Sequence, residues 1–408
     1  MRSNNKISLL LAIIAIFIKS TSTYSQKQIH FKLDTILDLG IHWPLVSSWS
    51  NCVFDNDKLY SLISTNTFNS IRDQRSTQNF YLKVFDLTNR NFLPDQEIIL
   101  PDTTLGPEFK DFWLIISERS AIIYKGFLII EGWYGSNLVF EKKNSKWVYR
   151  KDLKNVAFGD FYSFGNKLLN IYLDHKLPAL RFKILSQKHL RTKMVFESNY
   201  FDNSHLVKFA SSRFFIDVQS NQIACSKVGE YKVYFLDKKG KVVDSIYRNA
   251  PNWRKMNYDS CFEAENIPIN YPKTVIDYLH KTLRNSMSRI VKIAYINPNQ
   301  LMVGYTHVDS TRICFIDVWE KNNNNWEIIV DGQPLDLRKM ETTNENFKSG
   351  NGYFLNLKAG NNYFRNGKLF SQSNLQLYPE GTSTDTKIDN LMNGKNTLKI
   401  YIYDYKIY

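Results

Sequence analysis

A short pattern of strands and turns recurs along this chain and constrains its fold more than any other feature of the sequence. Each copy has an apolar strand, a polar loop, a second apolar strand that ends in a polar or acidic residue, and then a polar, often basic, turn. The clearest copy runs from Ile223 through 233–237 to the turn Lys238-Lys239-Gly240-Lys241. Self-similarity with a period of about 40 to 50 residues is a signature of propellers and solenoids.

The pattern occurs six times, and further strands are expected on both sides of each central pair. Four antiparallel strands in each copy correspond to a propeller blade, so the sequence predicts an all-β, six-bladed β-propeller. The other central pairs are 59–62 with 81–86, 127–130 with 138–141, 168–171 with 180–184, 301–303 with 313–317, and 353–357 and 363–370 before 398–404. Leading strands are expected at 112–116, 158–161, 212–216 and 290–295, and trailing strands at 147–149, 194–196 and 242–246.

The sixth copy lacks a fourth strand, because only four residues follow 398–404. An unpaired strand edge promotes aggregation, so a partner strand is expected. The segment 29–37 has the composition of a strand and has no place in the first copy. We therefore expect it to pair with 398–404 and to close the ring.

The first residues of the chain have the features of an export signal. Arg2 and Lys6 precede the apolar stretch 7–18, and small polar residues follow it up to Ser25. This stretch is shorter than a membrane-spanning helix requires, so we expect a signal peptide over 1–25 that is cleaved before Gln26. A retained N-terminal anchor helix is the alternative. The mature chain, 26–408, would be one exported propeller domain, in the periplasm or outside the cell, with no transmembrane segment.

An insert at about 249–287 interrupts the repeat. Pro272 is suited to open a helix, and Val275, Ile276, Leu279 and Leu283 follow at helical spacing. The sequence therefore predicts a small helical insert. It either caps the surface of the ring or forms a lid over the central channel.

The charge balance is basic, with 53 Lys and Arg against 39 Asp and Glu and a formal net charge of +14. Many of the lysines fall in expected hairpin tips, such as Lys142-Lys143 and Lys238-Lys239, where charge discourages edge pairing. No nucleic-acid recognition pattern accompanies them, so we expect no nucleic-acid partner. An envelope protein or an anionic glycan is a more natural partner for a basic exported monomer.

Four cysteines are present, at Cys52, Cys225, Cys261 and Cys314. Three lie inside apolar strands, where a thiol packs as a small apolar group, and only Cys261 lies in a polar stretch. Buried thiols are favoured. Disulfide pairing stays open, because the compartment would be oxidising.

The strand–Asp–Lys–Lys–Gly–Lys unit at 231–241, with its looser copies, resembles the TolB-like and NHL-type six-bladed propellers of exported bacterial proteins. The resemblance covers nearly the whole mature chain. It departs from the regular NHL pattern because the turn glycine, Gly240, is missing in most other copies. The resemblance implies a closed ring, and its members include binding scaffolds, lactonases and lyases.

Candidate ligand-binding residues lie in the loops between second and third strands and between copies, which should share one face around the channel mouth. No close pair of histidines or cysteines suggests a metal site, and no cofactor is expected. The insert adds Asp259, Glu263 and Glu265 to this face. The candidates are Arg72, Arg75, Trp133, Tyr134, Asp174, His175, His205, Glu230, His307 and Asp309.

Two functions remain open from the sequence. No nucleophile elbow, phosphate loop, zinc-protease helix or calcium loop is present, which favours a non-catalytic propeller that binds a ligand or a partner in the cell envelope. The alternative is a metal-dependent propeller enzyme, with lactonase- or lyase-like hydrolysis or elimination at the channel mouth, as the resemblance implies.

Overall fold

The regular structure consists of strands alone in the part of the chain that the computed structural model describes. No described residue lies in a helix, and 24 strands are present, which confirms the all-β class. The expected helix at 272–283 and the expected strands at 112–116 and 353–357 lie outside the described residues. These are 27–42, 46–66, 78–99, 121–131, 137–150, 160–164, 167–174, 179–185, 192–198, 216–219, 222–226, 230–255, 288–307, 313–336, 362–365, 367–373 and 397–408.

The strands form antiparallel meanders of four, here called units 1 to 5 and the closing unit. β1 (Ile29–His42) belongs to the closing unit. Unit 1 contains β2 (Val46–Asp55), β3 (Lys58–Asn66), β4 (Gln78–Asp86) and β5 (Asn91–Ile99), and unit 2 contains β6 (Ala121–Tyr124), β7 (Phe127–Glu131), β8 (Asn137–Lys143) and β9 (Lys146–Tyr149). Unit 3 contains β10 (Asp160–Phe164), β11 (Lys167–Asp174), β12 (Ala179–Leu185) and β13 (Thr192–Ser198), and unit 4 contains β14 (Ile216–Gln219), β15 (Gln222–Ser226), β16 (Lys232–Leu236) and β17 (Val242–Tyr247). Unit 5 contains β18 (Arg289–Asn297), β19 (Gln300–Thr306), β20 (Ile313–Asn322) and β21 (Asn325–Asp336), and the closing unit adds β22 (Asn362–Arg365), β23 (Lys368–Ser373) and β24 (Thr397–Ile407) to β1.

Units 1 and 2 share one eight-stranded sheet, whereas the other units are separate four-stranded sheets. The junction is a short parallel pairing of the outer strands β5 and β9, through Ile98 with Trp147 and Ile99 with Val148. The indole Nε1 of Trp147 donates a hydrogen bond to Gln96 Oε1 across the same junction, at 2.9 Å. Two edges that would otherwise be open to solvent therefore protect each other.

The closing unit joins the two ends of the described chain. Its order is β1-β24-β23-β22, and β1 pairs antiparallel with β24 from Ile29 opposite Ile407 to His42 opposite Thr397. The expected pairing of 29–37 with 398–404 is thereby confirmed. A shift of register between Leu33 and Thr35 changes which residues of β1 face which neighbour.

Apolar side chains fill the space between successive units. The residues of β1 before the register shift pack against unit 5, and those after it pack against unit 1, so the closing unit is held on both faces. The first strands of successive units also approach one another. The sheets are therefore arranged like the blades of a propeller. Residues from the two sides of each interface include Leu82 and Leu128, Ile129 and Leu168, Ile184 and Ile223, Val233 and Val303, Met302 and Leu369, and Ile402 and Leu59.

Three sequence expectations differ from the observed strands. The strand that precedes β7 is Ala121–Tyr124, joined to it by a tight turn in which Lys125 and Gly126 have positive φ. The range 363–370 is a hairpin of β22 and β23 and not one strand, because Gly367 turns the chain at φ 73°. Asp317 lies in the middle of β20 and not at its end. The sequence pattern therefore ends this strand too early.

The meander topology gives the molecule two unlike faces. The lower face is defined as the one that carries the turns between the first and second strands and between the third and fourth strands of each unit. The upper face is the opposite one. On the lower face neighbouring units meet turn to turn, as where Arg365 Nη2 donates to the Asn56 carbonyl oxygen at 2.7 Å. The lower turns include 56–57, 125–126, 144–145 and 298–299, whereas connections as long as 100–120, 248–288 and 337–361 leave from the upper ends of strands.

The base of the insert belongs to the folded framework. Residues 249–255, which the sequence assigned to the insert, include buried Ala250, and Trp253 packs edge-on against Tyr231 at 5.6 Å. Arg254 and Ser288 close the base, since Ser288 N donates to the Arg254 carbonyl oxygen at 3.0 Å and Arg254 N donates to Ser288 Oγ at 2.9 Å. The rest of the insert, 256–287, lies outside the described residues.

Candidate functional site

Three of the candidate residues from the sequence lie in the described part of the chain, and all three are at upper ends of strands. Asp174 is the last residue of β11, Glu230 lies two residues before the start of β16, and His307 directly follows β19. Their role in binding stays a prediction. The candidates outside the described residues are Arg72, Arg75, Trp133, Tyr134, His175, His205 and Asp309, together with Asp259, Glu263 and Glu265 of the insert.

Glu230 and His307 flank a buried group of charges between units 4 and 5. This group, here called the Arg248 cluster, consists of Arg248, Tyr231, Asp317 and Asp331. Tyr231 directly precedes β16 and Arg248 directly follows β17, so both reach the cluster from the upper end of unit 4. Asp317 and Asp331 reach it from the two outer strands of unit 5, β20 and β21.

Asp317 is the centre of the Arg248 cluster and is fully buried. Its Oδ2 accepts a hydrogen bond from the Tyr231 hydroxyl and lies 2.6 Å from Arg248 Nη1. Its Oδ1 accepts a hydrogen bond from the Gly332 amide at 2.6 Å. A buried carboxylate is tolerated only when it is both paired with a charge and hydrogen-bonded, and Asp317 meets both conditions.

A bulge in β21 provides the amide that Asp317 binds. Ile316 pairs with Gln333 and Val318 with Val330, so Asp331 and Gly332 together oppose the single residue Asp317. Gly332 has φ 60°, and a Cβ at this position would lie 3.2 Å from the Tyr305 hydroxyl oxygen. The bulge also turns the Asp331 carboxylate toward Arg248 Nη2, and the two form an ion pair. Glycine is therefore required here both by the backbone conformation and by the space.

Aromatic rings surround the Arg248 cluster on the side of His307. The Arg248 guanidinium lies 5.8 Å from the Tyr231 ring centroid, within the range of a cation–π contact. Tyr305 packs edge-on against Tyr231 at 5.3 Å and against His307 at 5.5 Å. Phe315 contacts His307 in turn, at 4.6 Å. The rings exclude water from the ion pair and connect it physically to the imidazole.

The electrostatics of the cluster follow from burial. Burial raises the pKa of the Asp317 carboxyl, and hydrogen bonds and charge from Tyr231, Arg248 and Gly332 oppose that rise. Burial and the Asp317 carboxylate raise the pKa of the Tyr231 hydroxyl well above its usual range. Burial and the Arg248 charge lower the pKa of His307, although a hydrogen bond with the Asn252 backbone opposes the change. Burial and the Arg248 charge therefore both favour the neutral form of His307.

His307 is the group of this site that is suited to meet a ligand. Its Nδ1 is buried and has no hydrogen-bond partner among the residues that the structure describes. The Arg248 guanidinium, by contrast, is already paired with two carboxylates, which leaves little attraction for an anion. The cluster as a whole holds units 4 and 5 together, and the half-buried imidazole lies beside it at the upper face.

Sequence reasoning found His307 and Glu230 but missed Arg248, Tyr231 and the special role of Asp317. In the sequence Asp317 was treated as the equivalent of Asp237, which ends its own strand. Asp237 in fact accepts hydrogen bonds from the Lys239 and Lys241 amides and shapes an exposed turn. Gly332 after an acidic residue inside a long strand is the one signal that could have indicated the bulge.

A second carboxylate, that of half-buried Asp217, joins the first strands of units 4 and 5. Asp217 Oδ2 accepts a hydrogen bond from the Tyr295 amide at 2.7 Å, and the Tyr295 hydroxyl donates to Gln222 Oε1 at 3.1 Å. Burial raises the pKa of Asp217, while the Tyr295 amide and the charge of Lys292 oppose the rise. We interpret this contact as a structural link between the first strands of the two units, β14 and β18.

The described residues contain no group of three or more His, Cys, Asp or Glu side chains that could hold a metal ion. Cys225 is a buried thiol whose Sγ lies 3.8 Å from the Tyr234 carbonyl oxygen, as the sequence favoured. In the same part of the chain, no helix has the length and apolar character to cross a membrane. The metal-dependent alternative stays a prediction.

No protein-family model and no curated protein matches this chain. Among solved structures, it is similar to the Dos1 propeller, with TM-score 0.37, 11% identity, and coverage of 86% of this chain and 67% of that one. It is also similar to the β-propeller domain of the Trilobed protease from Pyrococcus furiosus, with TM-score 0.37, 8% identity, and coverage of 82% and 80%. A chain of a mitotic checkpoint complex gives TM-score 0.38, 8% identity, and coverage of 91% and 93%. Likeness at this level carries no argument about function.

Proposed function

We propose that this chain is an exported six-bladed β-propeller whose upper face binds a ligand or a protein partner of the cell envelope. Six blades result when the two halves of the eight-stranded sheet are counted separately. Each half has the same first-to-fourth strand order as the other units, and only two residue pairs join the halves. The turn at Asp237, with Gly240 at φ 77°, supports a TolB-like or NHL-type ring.

The unequal length of the connections on the two faces carries the proposal. The lower face is closed by turns as short as 125–126, 144–145 and 298–299. The upper face receives the connections 100–120, 248–288 and 337–361, which hold far more sequence than joining two strands requires. Loops longer than about 12 to 15 residues in a compact domain usually carry function. A ring whose longest connections leave from one face is suited to recognition at that face.

The position of His307 supports the same face. Its imidazole lies at the upper end of β19, and its Nδ1 has no partner among the described residues. The rings of Tyr305 and Phe315 fix its orientation. The half-buried imidazole is held in one orientation at the upper face, where it is suited to contact a ligand. Asp174 and Glu230 lie on the same face.

Export is supported by the sequence before β1. Arg2 and Lys6 precede the apolar stretch 7–18, and the first described strand begins only at Ile29. The test is to isolate the protein from the producing cells and to determine its N-terminus and its mass in solution. A chain that begins at Gln26 and runs as a monomer agrees with the proposal. A chain that keeps residues 1–25 and stays in the cytoplasm contradicts it.

Binding at the upper face is tested with acidic polysaccharides such as alginate and polygalacturonate, and with an extract of envelope proteins. Trp133→Ala with Tyr134→Ala removes two aromatic rings from an upper connection, and His307→Ala removes the imidazole. Each should weaken binding about tenfold or more, as loss of a stacked ring or a specific hydrogen bond does. Tyr408→Ala is the matched control, because this aromatic residue is 67% exposed at the lower face. Equal loss in the control contradicts the proposal.

A further inference from the structure

Exposed lysines collect on the lower face of units 2, 3 and 4. The turns of unit 2 present Lys125, Lys142 and Lys143, and the turn of unit 4 presents Lys238, Lys239 and Lys241, all of them exposed or half-buried. Lys167, at the lower turn of unit 3 between them, is exposed as well. We call these residues the basic arc. The hairpin tips that carry scattered lysines in the sequence therefore lie on one face of the fold.

The acidic residues near the basic arc do not neutralise it. The Asp237 carboxylate accepts hydrogen bonds from backbone amides of its own turn, and Glu141 pairs with Arg150 at 2.6 Å. In the part of the chain that the structure describes, no ion pair joins a lysine of the arc to a carboxylate. The lysines are therefore available to a polyanionic surface.

The acidic side chains of the lower face are concentrated elsewhere. Asp55, Asp57 and Asp86 line a cleft between units 1 and 2, at the edge of the arc. The Asp86 carboxylate already accepts the amides of Thr88 and Asn89 at 2.9 Å. Lys142 of the arc lines the same cleft, so these acidic groups adjoin the arc at unit 2, and the remaining lysines of the arc lie on units 2, 3 and 4.

The chain also enters the fold at the lower face. β1 begins there, where Gln28 and Tyr408 exchange two backbone hydrogen bonds of 3.1 and 3.0 Å. The sequence 1–26, with Arg2, Lys6 and the apolar stretch 7–18, is therefore attached to the same face as the basic arc. The closing unit lies across the ring from unit 3, so the arc and the point of entry lie on opposite sides of one face.

We propose that the lower face docks on an anionic lipid bilayer through the basic arc. Several lysines on one face of a protein attract an anionic lipid surface together. The upper face then points away from the bilayer, toward whatever it binds. This inference does not depend on the proposed function of the upper face.

The experiment uses the chain from Gln26 to Tyr408, which contains every described strand, and vesicles of phosphatidylcholine with or without phosphatidylglycerol. We expect cosedimentation only with the anionic vesicles. Binding should decrease steeply between about 0.1 M and 1 M salt, where the Debye length falls from about 10 Å to about 3 Å. Lys238→Glu with Lys239→Glu should lower the partition onto vesicles about tenfold or more. Lys142→Glu with Lys143→Glu should act in the same direction.

A matched control lies on the connection that follows unit 4, at the opposite face. Arg254→Glu with Lys255→Glu changes the net charge by the same amount, and both side chains are exposed where the chain leaves the upper end of unit 4. This variant should keep its vesicle binding. The inference is overturned if Lys238→Glu with Lys239→Glu binds like the original chain, if the control loses as much, or if soluble acidic polysaccharide binds through the arc while vesicles do not. Unchanged melting temperatures show that the variants are folded.

Discussion

Tyr231 donates a hydrogen bond to the carboxylate of Asp317, which lies on the neighbouring unit and is completely buried. The Trp319 indole donates in turn to the Tyr231 hydroxyl at 3.2 Å. Arg248 pairs with the same carboxylate. The Asp317 side chain, on β20, therefore connects the start of β16, through Tyr231, with the end of β17, through Arg248. Units 4 and 5 are thus joined by a polar contact inside an apolar interface.

Removing the Asp317 carboxylate should destabilise the protein strongly. Asp317→Asn leaves the Arg248 guanidinium nearly buried without its closest counter-charge, which costs about 3 kcal/mol or more. Tyr231→Phe removes one hydrogen bond to the carboxylate and should cost about 1–3 kcal/mol. Denaturant unfolding measures both losses.

Asp331→Asn is the matched control for Asp317→Asn. It changes the other carboxylate that pairs with Arg248, but the Asp331 side chain is 45% exposed. Exposed ion pairs contribute about 1 kcal/mol or less. Equal losses in the two variants would show that burial of Asp317 is not what makes the contact strong.

Gly332→Ala should be more harmful than a substitution at another glycine with the same backbone conformation. An alanine at φ 60° costs about 1–2 kcal/mol wherever it stands, and here its Cβ would also press on the Tyr305 hydroxyl. Gly40→Ala is the control, since Gly40 has φ 66° and no atom lies within 4 Å of its added Cβ. Thermal unfolding of the two variants should differ clearly. Equal melting temperatures would mean that the bulge relaxes without loss.

The ion pairs of the closing unit predict a loss of stability in acid. The partial burial of Asp34 acts to raise its pKa, but the hydrogen bond and charge of Lys368 and the charge of Arg90 lower it below the usual 3.8. A lowered pKa stabilises the fold above the unfolded value of about 3.9, and this contribution is lost as the pH falls through the folded value. Asp34→Asn should therefore lower the melting temperature at pH 7 but not near pH 2.

A second substitution tests whether Lys368 causes this effect. Its Nζ lies 2.9 Å from Asp34 Oδ2 and 2.8 Å from Asp404 Oδ1. In the background of Lys368→Met, the loss of stability that Asp34→Asn causes at pH 7 should become smaller. An unchanged loss would place the origin of the effect elsewhere, with Arg90 as the next residue to change.

The insert can be shortened without unfolding the protein only if its base, 249–255, is kept. Replacing 256–287 with a short Gly/Ser linker should leave a folded ring, because Arg254 and Ser288 already lie within hydrogen-bond distance and loop closure costs little. Replacing 249–286 should unfold units 4 and 5, because it removes buried Ala250 and the Trp253 ring. Circular dichroism and melting temperature separate the two outcomes. Equal behaviour of the two deletions would contradict this boundary.

The sequence predicted the parts of the fold that depend on local alternation. Strands such as β8, β16 and β19, and the pairing of β1 with β24, follow from apolar periodicity and from the need to cover an edge. The leading strand of unit 2 was missed because Ala121–Tyr124 is only four residues long and its turn, Lys125-Gly126, carries a weak signal. The Arg248 cluster was missed because its members are far apart in the sequence, and only packing decides which carboxylate is buried.

Trimming the start of the chain should abolish folding once β1 is cut. Removal of residues up to Leu37 exposes the backbone groups of β24 and takes away the contacts of Ile29, Phe31 and Leu33, which are buried. Each backbone hydrogen bond lost costs about 0.5–1.5 kcal/mol, and the buried apolar contacts are lost as well, against a total stability of about 5–15 kcal/mol. We expect insoluble or oligomeric protein, while removal of Gln26 and Lys27 alone should be harmless. Gel filtration and the melting temperature measure both results.

Disulfide trapping across β1 and β24 tests the closed ring most directly. His30 and Lys406 are exposed and directly opposite each other, and directly opposed residues on antiparallel strands have Cα atoms about 4.5–5.5 Å apart, within reach of a disulfide. The variant with cysteines at positions 30 and 406 should form an intramolecular disulfide, identified by mass spectrometry of the linked peptides. With cysteines at 30 and 399 no bond should form, since Lys399 pairs with Asp38, farther along the same strand. Failure of the first pair to form a bond, or efficient bonding of the second, would contradict the closure of the ring by the N-terminal strand.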